Sequence, residues 1–411
     1  MIQIFRHQLS NGLEILIYPD HSTPMAAIDV CYHVGAKHED PDRTGFAHLF
    51  EHLMFGGSKH IPDYDLPLQR AGGENNAYTT NDITNYYLTL PKTNMDLGFW
   101  LESDRMLELA FSEESLNIQR NVVIEEFKQR NLNQPYGDVW SLIRELAYQV
   151  HPYRWPTIGK EISHIANASL EEVKSFFYRF YAPDNASLIL TGNVDVDHSL
   201  RLAEKWFGSI PARHVKKAIL PAEPEQTLFR EKTVERPVPD TGLYLAFHMD
   251  ERRSPGYYVC DLTSDVLSSG NSSRLYQKLV KEERLFVELD AYVAGDHDAG
   301  LFLISGKLSK EISIEKAQKA VWQELDKLKQ DLVPVAELEK VKNKLEANHI
   351  YSQMNYLSMA QELAMYEDIE RAELINEQMD AYRSVSADDI RQMAQKLFRP
   401  ENCSQLNYIA K

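Results

Sequence analysis

The sequence predicts an α+β protein of two duplicated halves, each a mainly antiparallel sheet with helices packed on it. The first observation behind this is a repeat of long period. Ser169-Leu170-Glu171-Glu172-Val173 leads through a helical pattern to Tyr181-Ala182-Pro183-Asp184-Asn185 and an apolar strand. Ser386-Ala387-Asp388-Asp389-Ile390 leads in the same way to Phe398-Arg399-Pro400-Glu401-Asn402 and a strand, 217 residues later. Each copy opens on a serine helix cap with an acidic first turn and stops at proline. Nearer the start of each half, Cys31-Tyr32-His33-Val34 finds an echo 215 residues on in Ala246-Phe247-His248-Met249. A repeat of this kind reads as a duplicated domain. The second observation is order: in both halves paired strand patterns precede long helices, the signature of helices laid on antiparallel sheets. Residues 1–211 form one half and 240–411 the other, with a polar, proline-bearing linker at 212–239.

Taken in order, the chain opens on two strand patterns joined by Asn11-Gly12, a hairpin. Residues 45–57 follow as a helix apolar nearly all round through Phe46, Leu49, Phe50, Leu53 and Phe55, hence buried, and ended by Gly56-Gly57. Residues 75–90 alternate as a strand. Long helical patterns occupy 94–109, 113–130, 314–329 and 335–366.

The buried helix carries His48, Glu51 and His52. The two histidines lie four residues apart, on one face and one turn from each other. Two imidazoles so placed can bind one zinc ion with Glu51 beside the open coordination position. Polar groups at a buried place need such a reason, because unpaired they are costly. The order His-x-x-Glu-His is a known metallopeptidase signature. Carried into the second half by aligning Gly57 with Gly270, these positions become Asp261, Ser264 and Asp265. A single zinc per chain, in the first half, is the expectation.

Two histidines need a third protein ligand. In the 113–130 helix, positions 119, 123, 126, 127 and 130 share a face. Glu126 and Gln119 therefore line up with the core-facing Val123 and Phe127, while Glu125 points about 100° away. Glu126 is the better ligand, and Gln119 stands one contact removed, able to donate to a ligand carboxylate.

With these residues in place the chain resembles the inverzincin peptidases of the insulinase, pitrilysin and mitochondrial processing peptidase group over essentially its whole length. The resemblance rests on His48-x-x-Glu51-His52, Gly72-Gly73-x-x-Asn76-Ala77-x-Thr79-x-x-Asp82-x-Thr84-Asn85-Tyr86 and Val122-Val123-Ile124-Glu125-Glu126. It continues through His151-Pro152-Tyr153, Gly159 and Tyr181-x-Pro183-x-Asn185. It implies zinc held by His48, His52 and Glu126, with Glu51 as general base toward a water whose pKa the metal lowers. It also implies that 75–90 is an open strand edge to which a peptide adds, with Asn76 and Ala77 as the substrate-holding pair.

Two departures from the family pattern stand out. The family usually has Glu where Gln119 stands. Self-sufficient members carry an Arg and, seven residues on, a Tyr that grip the substrate, where this chain has Val280 and Val287. Arg274 and Arg284 are out of register and Tyr292 lies five residues too late. The chain thus resembles the zinc-bearing subunit of two-chain members, whose partner lacks the zinc motif and supplies the Arg/Tyr pair. The expected function is zinc endopeptidase subunit for peptides or unfolded segments. A self-sufficient homodimer, and a non-catalytic structural or assembly subunit, are the rivals.

Composition narrows the classes further. With 43% hydrophobic and 26% charged residues the 411-residue chain is globular. A formal charge of −17 opposes nucleic-acid and anionic-membrane partners. The three cysteines, Cys31, Cys260 and Cys403, form no disulfide framework and suit a reducing compartment. No leader or membrane-spanning run is read, so the default expected location is cytoplasmic, with the periplasm as the alternative.

Overall fold

A computed structural model describes residues 2–217, 219–295 and 297–411. In chain order come β1 (Phe5–Gln8), β2 (Glu14–Pro19), β3 (Met25–Tyr32), α1 (Phe46–Leu53), α2 (Asp65–Arg70), β4 (Glu74–Thr79), β5 (Thr84–Pro91), α3 (Met95–Leu107) and α4 (Glu113–Phe127). Then follow α5 (Val139–Ala147), α6 (Ile162–Ala166), α7 (Leu170–Phe180), β6 (Ala186–Gly192), α8 (Val196–Phe207), β7 (Arg230–Arg236), β8 (Gly242–His248), α9 (Pro255–Ser268), β9 (Phe286–Ala294) and β10 (Leu301–Leu308). The chain closes with α10 (Ile314–Gln330), α11 (Val335–Gln353), α12 (Tyr356–Ile369), α13 (Gln378–Ser384), α14 (Ala387–Leu397) and β11 (Cys403–Ala410). Among the described residues no helix is long and apolar enough to cross a membrane.

The fold is α+β, with one sheet in each of two compact units. The first sheet has the order β1-β2-β6-β3-β5-β4 and the second β7-β11-β8-β10-β9. Apart from the added β1, the two follow one plan: β2 runs parallel to β6 as β7 does to β11, and the other neighbours are antiparallel. The repeat read from the sequence is the same in detail. α7 and α14 each begin with a reciprocal capping box, Ser169 with Glu172 and Ser386 with Asp389. After each proline an asparagine ties the turn down. Asn185 Nδ2 donates to the carbonyls of Phe180 and His33, and Asn402 Nδ2 to those of Leu397 and His248.

The units are not contiguous. The first comprises Met1–Gln129, Trp155–Leu220 and Ile350–Asn376; the second comprises Arg130–Arg154, Pro221–His349 and Glu377–Lys411. Division into 1–211 and 240–411 follows the repeat, whereas packing exchanges two segments. Within the first unit, α12 lays Met359, Ala360, Leu363 and Ala364 on Leu16, Ala27, Cys31 and Ile189 of the sheet. Within the second, α5 lays Ile143 and Ala147 on Tyr244, Ala246 and Leu406. In each case burial of an apolar face decides the membership.

Three elements differ from the sequence reading. The single helix expected over 335–366 is two, because the Asn355 side chain accepts hydrogen bonds from the amides of Leu357 and Ser358 and starts α12 afresh. The strand expected over 75–90 is a hairpin, β4 and β5, turned at residues 80–83, where Thr80 Oγ1 accepts from the amides of Asp82 and Ile83. Of this pair only β4 lies at the sheet edge. Within the expected linker 212–239, Arg230–Arg236 forms the outer strand β7, whose polar alternation suits an edge.

Candidate metal centre

α1 is placed by what surrounds its ends. Gly45, its N-cap, has φ +89 and sits against the backbone of Gly159, so neither position has room for a side chain. The buried Glu39 carboxylate supplies the cap, accepting from the amides of Gly45 at 2.9 Å and Ala47 at 2.8 Å. Burial pushes its pKa up to about 8, against the pull of those donors. Phe50 anchors the middle of the helix, stacking on Phe176 at 4.9 Å and Tyr181 at 5.1 Å between ring centres.

The polar face that remains carries His48, Glu51 and His52. The two imidazoles stand edge to face, 4.9 Å between centres. α4, packed on α1 through Val123 in a common core, brings up Glu126. Its Oε2 lies 3.5 Å from His48 Nε2 and 3.3 Å from His52 Nε2. Glu125 points outward, its side chain 63% exposed, and pairs with Lys128 at 2.6 Å. Among the described residues, His48, His52 and Glu126 form the group of three whose ligand atoms lie within 4.8 Å of one another and could hold a metal ion. Ligands about 2.1 Å from a tetrahedral zinc are about 3.4 Å apart, which is the spacing of these carboxylate–imidazole contacts. Donor set and spacing fit zinc.

Glu51 lies on the same helix, one residue before His52. Its Oε2 accepts a 2.7 Å hydrogen bond from Thr79 Oγ1 at the end of β4. Two residues earlier on β4, the Ala77 amide donates to Asn76 Oδ1 at 2.8 Å. Gln119 is on α4, its amide reaching toward Gly56 just beyond α1. The first unit therefore gathers His48, Glu51, His52, Asn76, Ala77, Gln119 and Glu126 on α1, α4 and β4. His151-Pro152-Tyr153 belongs instead to the second unit, where His151 Nε2 lies 3.4 Å from Asp298. Sequence reasoning missed Glu39 and the role of Thr79. A buried acid eight residues before a helix residue carries no local signal, and Thr79 stood in the motif without an assigned partner.

Residues 14–161 match the family described as Insulinase (Peptidase family M16), and 167–345 match the Peptidase M16 inactive domain. Zinc protease PqqE of Helicobacter pylori is 30% identical over 352 residues, 83% of this chain and 78% of that protein. The chain belongs to the insulinase family of peptidases. An uncharacterized zinc protease of Bacillus subtilis, YmxG, is 27% identical over 354 residues, 85% of this chain and 84% of that one. The crystal structure of a protease from Helicobacter pylori superposes with a TM-score of 0.93 at 27% identity, covering 99% of this chain and 100% of that chain. Pitrilysin shares the fold, with a TM-score of 0.81 at 17% identity over all of this chain and 45% of its own. In this insulinase-family chain the second description, the inactive domain, spans the stretch where Asp261, Ser264 and Asp265 replace the histidines and glutamate.

Proposed function

We propose that this chain is the zinc-bearing subunit of an endopeptidase acting on peptides or unfolded segments. The observation that carries the reading is the meeting of Glu126 of α4 with His48 and His52 of α1, which also carries Glu51 and lies beside the edge strand β4. His48 Nε2, His52 Nε2 and Glu126 Oε2 would hold one zinc ion, and Gln119 would support the carboxylate. Bound there, zinc supplies Lewis acidity and a water acidified to near neutrality. Glu51 takes the proton of the attacking water on its carboxylate and returns it to the leaving amine nitrogen. A peptide laid along β4 takes up the main-chain donors and acceptors of the edge around Asn76 and Ala77, which sets its register. Glu51→Gln tests the core of the reading: zinc stays and peptide turnover is lost. A variant with the parent's rate would remove Glu51 from the role.

Pairing with a second subunit is supported by the second unit. Val280 is half-buried on a π-helical turn against the core, and Val287 is 58% exposed on the edge strand β9. Neither side chain can donate a hydrogen bond to a substrate. Arg274 is taken up by Glu337 at 2.9 and 2.8 Å. The partner would lack the zinc motif and supply an arginine and a tyrosine, so the chain alone should be a poor peptidase that a partner activates. Full turnover by the isolated chain would favour the homodimer, and absence of both zinc and turnover would favour an assembly role.

A further inference from the structure

We propose that Thr79 is a positioning residue for the general base: its hydroxyl holds the Glu51 carboxyl and so couples that base to the strand along which the substrate is laid. The inference rests on the reading of Glu51 as the base. The contact is a 2.7 Å hydrogen bond from Thr79 Oγ1 to Glu51 Oε2, the length of a charge-assisted bond to a carboxylate.

The donor is well fixed. Thr79 is the last residue of β4, held in the ladder opposite Thr84. Thr84 is pinned in turn by its own hydroxyl to the Val34 carbonyl at 2.8 Å, and the intervening turn is tied by Thr80. A β-branched side chain on a fixed strand has few rotamers to choose from. Glu51, by contrast, has three side-chain torsions. One held oxygen fixes its carboxyl plane and directs the other oxygen.

The duplication supplies an independent argument. Tyr32 of β3 corresponds to Phe247 of β8; across the sheets these face Thr84 and Phe302, and through them Thr79 and Val293. Thr79 thus corresponds to Val293 as Glu51 does to Ser264. Val293 packs against the second core, so a valine at this strand position is compatible with the fold. The hydroxyl is present where the carboxyl is present, and both are missing together in the other unit.

The test is Thr79→Val, which copies the second unit, with Thr79→Ser as the conservative partner. Turnover of an unstructured peptide is measured with the zinc-loaded protein in its active assembly, alongside zinc content and affinity for the peptide. Thr79→Val should lower kcat by about 10- to 100-fold, the scale of a misplaced catalytic group, with KM, peptide affinity and zinc content unchanged. Thr79→Ser should recover kcat to within about threefold. On a Glu51→Gln background Thr79→Val should cause no further loss, because residues acting as one unit are non-additive. A Thr79→Val kcat within twofold of the parent, a full further loss on the Glu51→Gln background, no rescue by serine, or loss of zinc would each overturn the proposal. Failure of the underlying reading shows separately, as a Glu51→Gln protein that keeps the parent's rate.

Discussion

α1 and α9 occupy corresponding places in the two units and have been given opposite contents. Both run toward a glycine in the left-handed region, Gly57 at φ +97 and Gly270 at φ +81. On α1 the polar positions are His48, Glu51 and His52, and α4 brings a carboxylate against them. On α9 they are Asp261, Ser264 and Asp265, and α11 brings lysines. Asp261 accepts from the Tyr382 hydroxyl at 2.5 Å, and Ser264 Oγ bonds back to the Asp261 carbonyl. Burial raises the pKa of both aspartates, against the Tyr382 hydrogen bond at Asp261 and against the Ser269 hydrogen bond and the charges of Lys344 and Lys340 at Asp265. In the second unit these polar positions meet a phenol, a main-chain carbonyl and the field of two lysines; in the first, nitrogen and oxygen ligand atoms converge on one point. The scaffold tolerates either, so chemistry resides in a few side chains and in the helix facing them.

The largest effect that can break this comparison is on turnover. Glu51→Gln should lower kcat by about 10³-fold or more with zinc retained, while Ser264→Ala at the corresponding position should change nothing. Equal losses in peptide assays of the two variants would put catalytic chemistry in both units. Grafting is the next test. Asp261→His with Asp265→His restores both imidazoles to α9, but the facing helix offers Lys340 and Lys344 in place of a carboxylate, so metal analysis should find no additional zinc.

A smaller effect separates the two sheets by pH. Asp29, in the middle of β3, corresponds to Tyr244 of β8, and burial pushes its pKa up to about 8, with Asn85 Nδ2 donating to it at 3.0 Å. Unfolded, the carboxyl titrates near its ordinary value of about 3.9. Between these values the folded chain keeps a proton that the unfolded chain has lost. Its contribution is therefore fully present below about pH 4 and is lost as pH rises toward about 8, by on the order of 1 kcal/mol per pH unit. Asp29→Asn should flatten that slope in thermal melts recorded across this range; an unchanged slope would remove Asp29 as its source. Smallest are the shared caps. Ser169→Ala and Ser386→Ala should each cost about 1 kcal/mol in denaturant unfolding, because the two capping boxes are alike. A clear inequality would show that the scaffolds have diverged where their geometry has not.

What was legible in the sequence follows from how local each signal is. Capping serines, the proline stops and the glycine ends lie within a few residues of what they control, so the duplication could be read directly. Helical periodicity likewise set Glu126 on the face of Val123 and Phe127 and turned Glu125 outward. The exchange of α5 and α12 between units could not be read, since which sheet an apolar helix covers is decided by distant residues such as Ile189 and Leu406. Asn355 lay inside a helical pattern, where its capping role competes with continuation of the helix. The Thr79–Glu51 and Glu39–Ala47 bonds join separate elements, and no spacing announces them.

The most direct test of the account is zinc stoichiometry in Glu126→Gln beside Glu125→Gln. The parent chain and Glu125→Gln should each hold about one zinc, and Glu126→Gln should bind it about 100-fold more weakly or lose it. Full zinc in Glu126→Gln, or its loss in Glu125→Gln, would contradict the claim that His48, His52 and Glu126 make the metal centre.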